Sequence, residues 1–266
     1  MIILKRWAEK TGVMLSLSLG IFLFYVFNLP PAVLWGDNAR LAMLAKNFKF
    51  NAIMDYPLHT LTGKIFSYLI LFGNFYYRQG IRVAFFAVLT VLILYHIILK
   101  ITSNRTVSLV VALAWAVSHT FWLLAEMNEA YILALFFIAV EIIFLIKWLE
   151  SNNEINLYLS FFFFGMGLLA HRVVAFCFPG FFYLFLSKKD PMKKKLRQFF
   201  FIGIFLITGA FPIVYNFFLK AGANVGESSS GFGFVKNIFP ETFLITPATL
   251  LPRLIKYPVW LIYQFP

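Results

Sequence analysis

Cysteine is almost missing from the sequence, which contains one, Cys177, in 266 residues. A single cysteine cannot form an internal disulfide, and a metal cluster held by thiolates is excluded with it. Because Cys177 lies in an apolar run, we interpret it as a small hydrophobic residue without a chemical role.

Charge is scarce as well, since Asp, Glu, Lys and Arg make up 13% of the chain where a soluble domain has about a quarter. Hydrophobic residues make up 61%, and 35 residues are phenylalanine. Water therefore cannot be the main solvent of the fold. We expect an all-α, polytopic transmembrane helix bundle that forms a single domain over residues 1–266.

The usual motifs of soluble enzymes are missing too, because the sequence has no P-loop, Rossmann glycine pattern, zinc-ligand spacing or nucleophile elbow. The formal net charge of +12 could indicate nucleic acid, anionic lipid or membrane topology. Its densest basic run, residues 188–197, lies in a short connection between two apolar runs, as the positive-inside rule expects of a cytoplasmic loop. We therefore expect no nucleic-acid partner.

Apolar runs of about 20 residues can cross a hydrocarbon core of about 30 Å. The sequence predicts spans at 12–33, 81–99, 107–124, 130–149, 157–170, 173–186 and 199–219. The two short runs, 157–170 and 173–186, predict a helical hairpin whose turn is His171 and Arg172. A possible eighth span begins in residues 239–266.

Basic residues before the first span predict that the N-terminus lies inside. Alternation of the spans then places the loops 36–80, 126–129 and 171–172 outside and the basic loop 188–197 inside. Apolar residues recur at helical spacing within 36–80, which predicts helices that lie on the membrane surface. We therefore expect an integral, multi-pass membrane protein with its N-terminus inside.

Three polar positions are candidates for chemistry on the outer side. Asp37 directly follows the first span, either as an acid facing a substrate or as the N-cap of a helix from Asn38. Glu126 and Glu129 are three residues apart, either on one helical face or in a solvated loop. His171 and Arg172 could bind a phosphate, with His171 as a switchable donor, or simply end two helices.

Glu141 lies near the middle of the fourth predicted span, where a charge is costly. We interpret it as structural, either neutral or hydrogen-bonded to Tyr95 or His96. A transporter would instead use Glu141 and His96 as coupling groups.

The order of several local patterns is recognisable along the chain: WGDN, YPLHTLTGKIF, FGNFYYR, SHTFW, NEAY and LLAHR. Over about residues 12–190 this order resembles the GT-C membrane glycosyltransferases. Within them it is most similar to the bacterial and archaeal group related to the transmembrane protein O-mannosyltransferase of eukaryotes. The resemblance places the chain in a prokaryotic cytoplasmic membrane rather than in the endoplasmic reticulum.

The resemblance implies an inverting hexosyltransferase whose donor is an undecaprenyl- or dolichyl-phosphate sugar such as mannose. Asp37 would be the catalytic base, and Glu129, Tyr131 and His171 would line the site. Further substrate-binding candidates are Glu126, His59 and, as cations for the lipid phosphate, Arg172, Lys64 and Arg78. The expected partners are membrane lipid and a protein or glycan acceptor. No metal site is predicted, and the need for a divalent ion stays open.

Two departures from the family pattern stand out. The family carries a second acid a few positions after its Asp, where this chain has Asn38, Ala39 and Arg40, and a His-Pro-Pro-Gly stretch where it has residues 52–55. Family members are also longer, so we expect the chain to be C-terminally incomplete. A non-catalytic membrane subunit or degenerate relative therefore remains an alternative, as does a lipid or small-molecule transporter.

Overall fold

A computed structural model describes residues 2–31, 34, 36–48 and 56–215, with side chains from residue 15 onward. These residues form α-helices, one 3₁₀ helix and no strand, which confirms the all-α prediction. The helices are α1 (Ile2–Phe27), α2 (Asp37–Asn47), α3 (Pro57–Leu69), α4 (Phe75–Thr102), α5 (Arg105–Ala116), α6 (His119–Glu126), α7 (Tyr131–Ser151), α8 (Glu154–Ala170), the 3₁₀ helix (Arg172–Cys177), α9 (Phe178–Ser187) and α10 (Met192–Gly209).

The chain divides into two units, Met1–Asn216 and Phe217–Pro266. Every helix named above lies in the first unit. The second unit, the end of the predicted span 199–219, the possible eighth span and residues 52–55 lie outside the described residues. The single domain over residues 1–266 therefore stays a prediction.

Among the residues whose side chains the structure describes, two helices, α4 and α7, are long and apolar enough to cross a membrane. A third crossing is added if α5 and α6, which meet at an angle of 59°, form one span. The protein is therefore an all-α membrane protein. By length and composition two or three of the seven predicted spans are supported, and crossing by the shorter apolar helices stays a prediction.

Two predicted spans are not continuous helices. The run 107–124 breaks between α5 and α6, where the Ser118 hydroxyl donates to the Trp115 carbonyl and so competes with the helical hydrogen bonds. The run 173–186 begins as a 3₁₀ helix and becomes α-helical only at Phe178. The hairpin turn itself is where the sequence predicts it, because His171 is extended between α8 and the 3₁₀ helix.

The connections give the bundle two distinct ends. Helices α4 and α7 both begin at one end, and their last turns are joined by an ion pair between Lys100 and Glu150 at the other. Asn152, with a φ of 56°, turns the chain from α7 back into α8. The end at which α4 and α7 begin is called the pocket end. The end at which they finish is called the charge-paired end.

Helices α8 and α10 pack so closely that only glycine fits between them. A Cβ added at Gly165 would lie 2.6 Å from the backbone oxygen of Leu206, and one at Gly209 would meet the backbone of Phe162. Close contact of this kind is typical of small residues at helix interfaces in membranes. It fixes α8, and with it the turn at His171, relative to α10.

Candidate active site

One pocket lies at the pocket end; it is open to solvent, and its interior has room for about one water molecule. It is lined by Asp37, Leu41, Tyr56, Glu129, Ala130, Tyr131 and His171. Four of these were predicted as site residues from separate parts of the sequence, namely Asp37, Glu129, Tyr131 and His171. The structure brings them together, and their chemical roles stay predictions.

Asp37 is held at the pocket by the start of α2. The helix begins at Asp37, and Gly36 takes the cap position with a φ of 73°, a left-handed conformation that suits glycine. Asp37 is therefore not the N-cap, and that alternative was wrong. Its carboxylate lies 3.6 Å from Arg40, and the two side chains are 58% and 48% exposed. An acid in a first helical turn is also favoured by the helix dipole.

Glu129 reaches the pocket from the connection between α6 and α7. Because α6 ends at Glu126 and α7 begins at Tyr131, the two glutamates do not share a helical face, and that expectation was wrong. The amide of Asn38 donates to Glu129 Oε1 at 3.2 Å. Burial, followed by the negative charge of Asp37, raises the pKa of Glu129, and the hydrogen bond from Asn38 opposes this.

His171 lies between two tyrosine rings. Its ring centroid is 4.7 Å from that of Tyr56 and 4.5 Å from that of Tyr131, and both pairs are stacked. The Val173 amide donates to His171 Nδ1 at 3.0 Å, so the proton of the neutral ring lies on Nε2. Burial, with a smaller effect from Arg172, lowers the pKa of His171 to about 4. The ring of His171 is thus neutral at pH 7 and can donate from Nε2, and its role as a switchable donor to a phosphate stays a prediction.

The other predicted cations differ in their distance from this pocket. Arg172 begins the 3₁₀ helix, and its charge acts on both Tyr56 and His171. Lys64 instead donates to the carbonyl of Lys46 at 3.0 Å and lies over the ring of Tyr68.

Arg78 binds backbone carbonyls rather than facing the pocket. It donates to Ser67 at 3.0 Å and to the nearby carbonyls of Phe72 and Gly73. Glu126 also lies away from the pocket, near Tyr25 of α1. The substrate-binding roles predicted for Lys64, Arg78 and Glu126 gain no support from these positions.

His59 is fully buried beneath the pocket, where it contacts Arg82. The Arg82 side chain is 1% exposed and donates from Nη1 to the His59 carbonyl at 2.7 Å and to Thr62 Oγ1 at 3.0 Å. From Nη2 it donates to His59 Nε2 at 2.6 Å and to Asn128 Oδ1 at 2.8 Å. Burial and the Arg82 charge lower the pKa of His59 far below its ordinary value, so its ring is neutral.

The sequence reasoning missed Asn38, Tyr56, Arg82 and Asn128 as parts of this site. Arg82 had a signal, because it is a charge inside the apolar run 81–99 and such residues are normally functional or paired. Asn128 opens the NEAY pattern, but that pattern does not reveal its partner Arg82, which is 46 residues away along the chain.

Two further expectations concern buried acids and metals. Glu141 is fully buried in α7, and neither of its carboxyl oxygens has a hydrogen-bond partner, so the expected bond to Tyr95 or His96 is not formed. His96 contacts the carbonyl of Leu92 instead. Among the residues that the structure describes, no three His, Cys, Asp or Glu side chains are grouped as metal ligands.

Comparison with known families shows what the chain is similar to. The model of the protein O-mannosyl-transferase TMEM260 N-terminal domain matches residues 54–194, which is more than half of the chain. The matched range contains Glu129, Tyr131 and His171. Neither the curated proteins nor the solved structures gave a match. The chain thus belongs to the family of the protein O-mannosyl-transferase TMEM260 N-terminal domain.

Proposed function

We propose that this protein is a GT-C glycosyltransferase that moves mannose from a polyprenyl-phosphate donor to an acceptor hydroxyl, with inversion at the anomeric carbon. One observation carries the proposal: acids from two distant segments, Asp37 and Glu129, share a pocket with His171. Membership of an O-mannosyltransferase family supports the reaction class.

Asp37 is the proposed general base. Its side chain is 58% exposed, so an acceptor hydroxyl can reach it. The carboxylate takes the hydroxyl proton while the acceptor oxygen forms a bond to the anomeric carbon. The bond from that carbon to the phosphate oxygen breaks, and the lipid phosphate leaves with the electron pair. A phosphate leaves readily without an acid, so one base suffices. Such a base typically raises the reaction rate by about 10² to 10⁴-fold.

Glu129 and His171 are proposed to hold the sugar. The raised pKa of Glu129 and the Nε2 proton of His171 supply a carboxyl and a neutral donor, both of which suit sugar hydroxyls. Two carboxyl groups in one small pocket disfavour a phosphate inside it. We therefore place the sugar over the open mouth of the pocket and the lipid phosphate farther out, towards Arg172, whose planar fork binds phosphate oxygens well.

The proposed topology is multi-pass, with the N-terminus inside and the pocket end at the outer face. It is supported by the basic residues of the charge-paired end, which follow the positive-inside rule. They are Lys100, Arg105, Lys188, Lys189, Lys193, Lys194, Lys195 and Arg197. A lipid-linked donor would then enter the pocket sideways from the outer leaflet.

The test is transfer by the full chain reconstituted in liposomes with labelled polyprenyl-phosphate mannose. Serine- and threonine-containing peptides and a glycan serve as alternative acceptors. We expect labelled acceptor and free lipid phosphate in equal amounts. An intact donor after incubation with every acceptor would contradict the proposal, and a donor that crosses the bilayer unchanged would indicate a translocase.

A further inference from the structure

Arg82 is a buried cation without a buried anion beside it. Its side chain is 1% exposed, and the ion pairs recorded for the described part of the chain do not include it. All four of its hydrogen bonds go to neutral acceptors, on His59, Thr62 and Asn128. A charge buried in this way is costly, and an apolar residue would pack the same space more favourably.

The two sides of the guanidinium reach different parts of the protein. On one side Nη1 binds the Thr62 hydroxyl, which itself donates to the carbonyls of Leu58 and His59 within α3. On the other side Nη2 binds Asn128, next to Glu129 in the chain. Only the Nη2 side connects Arg82, through Asn128, to a residue that lines the pocket.

Arg82 fixes the orientation of the Asn128 amide. An arginine has donors only, so the atom of Asn128 that faces it must be Oδ1. The Nδ2 group then points the other way, where it donates to the backbone carbonyl of Asn38 at 3.0 Å. Asn128 is 1% exposed, so water cannot readily replace either partner.

Two hydrogen bonds therefore join the segment that carries Asp37 to the segment that carries Glu129. Asn128 donates to the backbone of Asn38, and the side chain of Asn38 donates to Glu129 at 3.2 Å. Asn38 directly follows Asp37, and Asn128 directly precedes Glu129. The pair of asparagines therefore sets the position of both acids, and Arg82 anchors the pair.

We propose that Arg82 is a positioning residue. It acts through Asn128 to hold the carboxyl groups of Asp37 and Glu129 at their positions in the pocket. The inference rests on the proposed function, because it assumes that these acids are the groups that act on the substrate. Arg82 itself touches no pocket-lining acid and is not a catalytic residue.

The test compares Asn128→Ala with Thr62→Val, since each removes one acceptor from Arg82 but only the first leads to the pocket. In the reconstituted full chain, Asn128→Ala should lower kcat/KM by about a hundredfold, mainly through kcat, as expected when a reacting group shifts by about 1 Å. Thr62→Val should leave turnover near the wild-type value. Equal losses in the two variants, or none in Asn128→Ala, would overturn the positioning role.

A second readout does not depend on turnover. The pKa of Glu129 can be followed by infrared titration of its carboxyl band, assigned with Glu129→Gln. The charged and titratable groups that face Glu129 are Asp37, Tyr76 and Tyr131. Because the Asn38 hydrogen bond favours the ionised form, its loosening in Asn128→Ala should raise this pKa, and Thr62→Val should not. An unchanged pKa in Asn128→Ala overturns the inference. A shifted pKa in a protein without transferase activity overturns only the proposed function.

Discussion

The two ends of the bundle differ in how their charges are arranged. At the charge-paired end opposite charges meet, as in Lys194 with Asp190 at 2.9 Å and Arg197 with Glu154 at 2.8 Å. At the pocket end Asp37 also pairs with Arg40, but its carboxyl group shares one pocket with that of Glu129, and Arg82 is buried among neutral acceptors. Ordinary ion pairing explains the charges at the charge-paired end. The pocket end instead keeps costly arrangements of charge, which are typical of functional sites.

The largest expected effect is on the rate of transfer, and it distinguishes an acid at the pocket end from an acid at the charge-paired end. Asp37→Asn should lower transfer by about 10² to 10⁴-fold, because the proposed base is lost while an exposed side chain of the same shape remains. Glu150→Gln is the matched control, since Glu150 is 50% exposed and pairs with Lys100 at the charge-paired end. Initial rates of mannose transfer measure both. Undiminished turnover by Asp37→Asn would remove this residue from the mechanism.

The packing that supports the pocket end gives the next largest effect. Gly209→Ala should destabilise the protein by about 1–3 kcal/mol, because the added methyl group meets backbone that cannot move aside. Gly203→Ala, on the same helix, has nothing within 4 Å of the new Cβ and should be neutral or slightly stabilising. Unfolding in detergent compares the two. An equal response would mean that α8 and α10 do not pack this closely.

The pocket end should also make stability depend on pH. The pKa of His171 is about 4 in the folded protein and 6.5 in a free side chain. The unfolded chain therefore binds a proton between these values and the folded chain does not, so stability is full above about pH 6.5 and falls towards pH 4. In His171→Asn the side chain can still accept from Val173, and this decline should flatten. Unfolding curves at several pH values measure it, and parallel curves would contradict a neutral His171.

The smallest effect is expected at the charge-paired end. Arg197 is 59% exposed, so Arg197→Gln should cost at most about 1 kcal/mol of stability and even less at high salt. Transfer should not change. A large loss of transfer would show that the two ends are coupled, which would break the distinction drawn between them.

Hydrophobic patterning was sufficient to predict the all-α membrane fold and most helix positions. It missed the break at Ser118 and the 3₁₀ start of the second hairpin helix, because the apolar pattern continues through both while local hydrogen bonds from Ser118 and to His171 accompany the change in backbone. Among the described residues, two or three of its seven predicted spans are supported by length and composition, counting a bent pair as one, and the others stay predictions.

For the site, four residues chosen from the order of short motifs, Asp37, Glu129, Tyr131 and His171, line one pocket, and their roles stay predictions. Arg82 had a signal as a charge in an apolar run, but its contacts could not be predicted, because they join α3 to the connection between α6 and α7 across long stretches of sequence. The protonation state of His171 could not be predicted either, since it depends on the two tyrosine rings that cover it.

The most direct test of the account asks whether the donor occupies the pocket end at the outer face. In a Cys177→Ser background, Arg40→Cys places a thiol beside Asp37 and Lys193→Cys places one at the charge-paired end. An impermeant maleimide applied outside should label position 40, and polyprenyl-phosphate mannose should slow this labelling. Position 193 should react only after the membrane is permeabilised, at a rate that the donor does not change. Labelling of position 193 from outside, or no protection of position 40 by the donor, would contradict the account.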